Sequence, residues 1–297
     1  MIRKKLMVVF VLFLLVLSIC SFDQVNFKSM DAYTANSMDK LVNKAGENVF
    51  MAGHSKTSEY EVDYTYTVGL DENGERFFIY TDSNGYEEIV EGGRGYGYDP
   101  DSGKLFLIAY IGDAYESEMN DLWNSFPIVK TGDYENDDQY ITDIEQEGNN
   151  ITVSYDFPDE TDEAEEGSRA FTTFVADAET LFFESGKTVF TSADGTVTRT
   201  LDTTTERNKP YTIDEKYNHV FTEDNTRTVT VIVNPGTTEE QTHVFTLPVD
   251  VGLSIRTQPS MKAYADAACT TPLPKAELDE NGNFPLETTI YLLPAEE

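Results

Sequence analysis

Cysteine, tryptophan and histidine are scarce in this chain of 297 residues, with two, one and three copies. Positive charge is scarce too: 21 Lys and Arg stand against 54 Asp and Glu, a formal net charge of −33 at pH 7. Each shortage excludes something. Cys20 lies at the end of an apolar leader, so Cys269 is the single thiol of the remainder and no disulfide forms within it. Nucleophilic catalysis with a histidine base needs an imidazole oriented beside a Ser or Cys. His54, His219 and His243 lie in separate segments, with no metal-ligand spacing of the HExxH kind. Carboxylates abound, but no spacing singles out a catalytic pair. The chain therefore reads as a non-enzyme without cofactor or metal. Its acidity also argues against nucleic acid as a partner and against direct adsorption to anionic lipid headgroups, since both depend on clustered Lys and Arg.

Long hydrophobic runs are absent after the first segment. Leu6 to Ile19 is apolar apart from Ser18 and follows Arg3, Lys4 and Lys5. That run is shorter than the ~20 residues of a membrane-spanning helix and suits the core of a signal peptide. Residues 1–20 are expected to be a signal peptide and the protein to be exported, either extracellular or anchored at a bacterial cell surface. Leu17, Ser18, Ile19 and Cys20 resemble the lipobox, which implies Cys20 as a lipid anchor and membrane contact only through it. Ile19 departs from that motif, which has Gly, Ala or Ser before the cysteine. Ordinary cleavage near residue 21 is the alternative.

The strand signals are strong. In EYEVDYTYTV (59–68), Tyr60, Val62, Tyr64, Tyr66 and Val68 alternate with polar residues, the pattern of a strand with one buried face. DENG turns the chain, RFFIYT (76–81) returns, SNG turns again, and YEEIVE (86–91) and KLFLIAYI (104–111) follow. Between the last two lies GGRGYGYDPDSGK (92–104). A phosphate loop would lead its glycines into a helix, and these lead into a short aromatic strand. Asp99 and Asp101 begin like a calcium loop, but Pro100 stiffens it, Gly103 comes too early and no bidentate Glu follows. The stretch reads as two hairpin turns flanking a short strand. Helices are expected over 29–48, from Met30, Tyr33, Met38, Leu41 and Val42, and over AYESEMNDLWNSF (114–126), whose Met119, Leu122, Trp123 and Phe126 share one face.

A glycine turn, a short aromatic strand, Tyr98-Asp99-Pro100 and a return strand resemble the lipoprotein-carrier family of LolA-like and LppX-like half-barrels. Further strands over 139–203, with Asp177-Ala178-Glu179-Thr180-Leu181 and Ser192-Ala193-Asp194-Gly195-Thr196, are similar to a hairpin of the same family. The resemblance covers about residues 28–210. It implies a curved antiparallel sheet covered by helices, with a gap between them that holds lipid acyl chains. Tyr60, Tyr64, Tyr66, Phe78, Tyr80, Leu105, Leu107, Trp123 and Phe126 are the residues that would line such a cavity. The alternative is that they fill a closed core.

The acidic runs 132–139 and 156–167 read as solvated loops. Residues 214–225 (DEKYNHVFTEDN) read as a linker between a half-barrel domain, 21–213, and a C-terminal module, 226–297. In that module the run Tyr264 to Pro272, with Thr289-Ile290-Tyr291-Leu292, resembles the internalin-type B repeat, also called the Listeria–Bacteroides repeat. Ala263 and Pro294 depart from its pattern. The resemblance implies a small β-grasp-like module of a surface protein, with Cys269 as a small buried residue. The expected fold is therefore mainly β: a half-barrel sheet with a few helices, plus that module. Two functions stay open. One is binding of a lipid or acyl chain at the cell envelope; the other is a surface scaffold whose partner is an envelope or surface protein.

Overall fold

The computed structural model describes residues 38–125, 140–159, 164–273 and 278–295. The expected signal peptide, Cys20, Phe126, the acidic run 132–139 and most of the expected N-terminal helix lie outside them. The described chain begins with the short helix α1 (Met38–Leu41) and the strands β1 (Asn48–Thr57), β2 (Glu61–Leu70), β3 (Arg76–Asp82), β4 (Glu87–Glu91), β5 (Arg94–Asp99) and β6 (Lys104–Gly112). Helix α2 (Ala114–Ser125) precedes β7 (Ile141–Glu147), β8 (Asn150–Pro158), β9 (Arg169–Asp177), β10 (Phe183–Thr191) and β11 (Val197–Arg207). A 3-10 helix, Glu215–Phe221, leads to β12 (Thr226–Val233), β13 (Gln241–Pro248), β14 (Gly252–Gln258), β15 (Met261–Tyr264) and β16 (Glu287–Pro294).

Twelve strands form one curved sheet in the order β14-β6-β5-β4-β3-β2-β1-β11-β10-β9-β8-β7. Its hairpins sit where the turn residues put them: Gly74, Gly85, Gly92, Gly93, Gly103 and Gly195 all take positive φ, a conformation with little cost for glycine. The 92–104 stretch is two turns around β5, as its composition requires. β1 went unread in the sequence because its Gly53, His54, Ser55 and Lys56 blur the alternation, yet it pairs with β2 on one side and β11 on the other and closes the two halves of the sheet.

The sheet is not wholly antiparallel. β14, from the C-terminal segment, pairs in parallel with β6 and forms one edge. The remaining C-terminal strands make a second, four-stranded sheet, β13-β12-β16-β15, whose central pair β12 and β16 is parallel. That is a β-grasp-like arrangement, but it lends a strand to the larger sheet instead of standing beside it. The segment expected as a linker is the 3-10 helix, capped by Asp214 and buried through Tyr217 and Val220. The two apolar residues three apart face inward, and the polar majority around them hid the element.

Two cores follow from strand alternation. On the inner face, which carries α1 and α2, Val49, Met51, Val68, Phe78 and Val90 pack against Met38, Leu41, Met119 and Trp123. On the outer face of β3–β6, Ile89, Tyr96 and Ile111 pack against Val229, Val231 and Val233 of the second sheet and against Tyr217 and Val220. A third cluster, built on Ile151, Val153, Tyr155, Phe157, Ala170 and Leu201, occupies the β8–β11 end and meets the first through Tyr64.

Candidate functional site

The alternation of β2 and β3 delivers Tyr64, Tyr66, Phe78 and Tyr80 to the inner face together. Tyrosine rings follow one another along β2, from Tyr64 to Tyr66 at 5.8 Å, then across to β3, Tyr66 to Tyr80 at 4.8 Å, and on to Tyr86 at 6.0 Å from Tyr80. Tyr86 then stacks on Phe106 at 5.9 Å. Burial, reinforced by Tyr66, pushes the Tyr64 phenol up to about 12. Burial, reinforced by the Asp82 carboxylate, does the same to Tyr80, also to about 12. These hydroxyls stay neutral at any physiological pH.

Other expected cavity residues lie elsewhere. Trp123 is 5% exposed and packs in the core below α2, its indole N–H donating to Asp39 Oδ1 at 2.7 Å and the Arg76 guanidinium 4.6 Å from its ring centroid. The gap between α2 and the sheet is therefore filled where Trp123, Met119, Phe78 and Val90 meet. Leu105 and Leu107 point to the outer face, among the second core. KLFLIAYI is apolar on both faces, so alternation alone could not assign their side. Tyr60 precedes β2 and is 52% exposed. Cys269, expected to be buried, is half-buried at φ 51° in the turn that Asp266 closes.

Sequence reasoning missed a charged cluster on the inner face. Glu88, 6% exposed, shares the inward parity of Val90. Arg256, on β14, reaches it with Nη2 2.6 Å from Glu88 Oε2, and its Nη1 donates to Glu118 of α2. Tyr86 donates its hydroxyl to Glu88 at 2.8 Å and Tyr110 to Glu118 at 3.3 Å. Burial alone would lower the Arg256 guanidinium pKa; the hydrogen bonds it donates to Glu88 and Glu118, with the charges of those carboxylates, outweigh burial and raise it. Burial and the Glu88 carboxylate together raise the Tyr86 phenol. An inward Glu could have been flagged from YEEIVE, but its partner is 168 residues away.

Beside this cluster lies an open cavity of about 660 Å3. Tyr86, Phe106, Leu105, Leu253, Leu278 and Phe284 supply its apolar walls, and Asp99, Ser102 and Lys104 stand at its β5–β6 turn. The glycine-rich stretch that turns the chain thus also frames the cavity. Leu105 is the one expected cavity residue that lines it, and the aromatic run Tyr64–Tyr66–Tyr80–Tyr86 leads from the inner face to its wall. Gly252 is at its floor: an added Cβ would meet Phe106 Cβ at 3.4 Å and Phe284 Cζ at 3.6 Å, so a larger side chain there would project into the space.

No protein-family model matches the chain, for the carrier-like part or for the B-repeat-like part, and no curated protein matches it. Among solved structures, the chain is similar to the Pseudomonas aeruginosa MucA/MucB complex, at 10% identity over 73% of this chain and 76% of that one, with a TM-score of 0.33. It is also similar to a LolA superfamily protein from Nitrosomonas europaea, at 11% identity over 65% and 98% of the two chains, with a TM-score of 0.22. A putative outer membrane lipoprotein-sorting protein domain from Vibrio parahaemolyticus aligns at 8% identity over 63% and 94%, with a TM-score of 0.26.

Proposed function

We propose that this is an exported, non-enzymatic cell-envelope protein that binds one lipophilic chain, in the cavity between β6, β14 and the 278–284 loop and not below α2. The observation that carries the reading is the open cavity of about 660 Å3 walled by Tyr86, Phe106, Leu253 and Phe284. Cavities of that size hold one small ligand and are mainly apolar with a few placed polar groups. The packed side chains around Trp123 and Met119 argue against the helix gap as the seat of the chain and favour the sheet edge that the C-terminal segment completes. The scaffold reading draws support from the same packing, because the filled core around Trp123 and Met119 needs no ligand.

The test is calorimetric titration of dodecanol into the full exported chain and into Gly252→Leu. Saturable binding of one chain, lost in the variant while its unfolding transition is kept, is the expected result. Binding that never saturates, or that is indifferent to the substitution, would leave the scaffold reading standing.

A further inference from the structure

Two cations border the cavity, and neither has a carboxylate partner among the described residues. Lys104 lines the cavity. An added Cβ at Gly282 would lie 3.2 Å from its Nζ, so the ammonium rests against the loop that carries Leu278 and Phe284. Arg227 sits behind the wall. It continues the inward row Val229, Val231 and Val233 of β12, is 5% exposed, and stacks its guanidinium 4.6 Å from the Phe284 centroid. Its Nη2 donates to Val251 O at 2.9 Å, while its Nε is buried without a hydrogen-bond partner. Burial lowers its pKa.

A buried cation without a counter-ion is costly, and an anion placed nearby offsets that cost. Phe284 touches both Arg227 and the cavity, so the charge lies one ring behind the wall. The other charged group facing the space, Asp99, is already engaged by the Asp101 N–H at 3.0 Å and the Ser102 hydroxyl at 2.9 Å. The protein as a whole carries −33, but exposed charges beyond about 8 Å are largely screened at physiological ionic strength. A ligand seated in the cavity is governed by the near charges, where Lys104 and Arg227 outnumber the Asp99 carboxylate.

We propose that the natural occupant is a single-chain amphiphile with an anionic head of the carboxylate type. Its chain lies along Phe106 and Phe284 and its head meets the Lys104 ammonium, with Arg227 adding field from behind the wall. This rests on the lipophilic-ligand reading above. A cavity suited to one small ligand argues for one chain over the two of a phospholipid.

The experiment compares dodecanoate with dodecanol at a pH where the acid is ionised, using the full exported chain. Dodecanoate should bind about tenfold more tightly, the scale of one charge-assisted hydrogen bond. Lys104→Gln should remove most of that preference, read as the ratio of the two affinities within each protein, and Lys104→Arg should keep it. Equal binding of the two probes, or a preference that survives K104Q, overturns the anionic head and spares the cavity. Failure of both probes to bind overturns the lipophilic reading and this one with it.

Discussion

Arg256 and Glu88 meet at 2.6 Å across the inner face, although one belongs to the C-terminal segment and the other to the fourth strand. Glu88 is nearly buried and Glu118 competes for the same guanidinium. The arginine therefore holds two carboxylates that would otherwise repel each other, and it anchors β14 to the sheet. Without β14 the cavity has no floor.

Arg256→Ala should destabilise the protein by about 3 kcal/mol, because it strands a buried carboxylate beside a second one. Chemical denaturation measures this directly. Replacing Arg256 and Glu88 together by Met and Leu should recover most of the loss. A single-variant cost below about 1 kcal/mol, the range of exposed pairs, would show that the cluster is solvated.

Trp123→Ala should cost about 3–5 kcal/mol, the usual penalty for emptying a packed aromatic site. Trp123 fluorescence should stay unchanged on dodecanol addition, since the indole lies in the filled core and away from the cavity. A saturable fluorescence change with little loss of stability would restore the helix gap as the binding site.

Gly97 and Gly53 separate two kinds of close approach. An added Cβ at Gly97 would overlap the Glu87 carbonyl oxygen of the neighbouring strand, whereas at Gly53 it would overlap the Tyr64 ring. Backbone cannot swing aside and a side chain can. Gly97→Ala should therefore cost about 2 kcal/mol or more, and Gly53→Ala distinctly less. The reverse order, read from denaturation midpoints, would contradict the register of β4 with β5.

Stability should fall as pH rises from about 10 to about 12. Tyr64 and Tyr80 are raised from 10.0 to about 12 in the folded chain, by burial first. Between those values the unfolded phenols ionise while the folded ones keep their protons, so unfolding is favoured with rising pH. The contribution is complete below pH 10 and lost above about 12. Absorbance titration of the phenolates, followed beside unfolding, checks the sign; tyrosines that all ionise near 10 in the folded state would refute it.

Much of the sheet was legible because period-two alternation is a local signal. Tyr64, Tyr66 and Val68 announced β2, and Met119 and Trp123 announced α2 through their helical spacing. The turns at 92–104 were readable from glycine, aspartate and proline alone. What stayed hidden was non-local. Nothing in GLSIRTQ indicates that β14 adds in parallel to β6, and the Glu88–Arg256 pair exists only through that pairing. The side of Leu105 and Leu107 was hidden by a strand apolar on both faces. The cavity itself depends on Phe284, which comes to line the same space as Phe106 only through the return of the 278–284 loop.

The central claim is that a single lipophilic chain occupies the cavity above Gly252. Native mass spectrometry of the protein isolated from its host without detergent tests it most directly. The account predicts a fraction carrying one added mass of a single-chain acid, released by solvent extraction and absent from the Gly252→Leu variant. Bare protein alone in both preparations, or an adduct equally present in the variant, would contradict it.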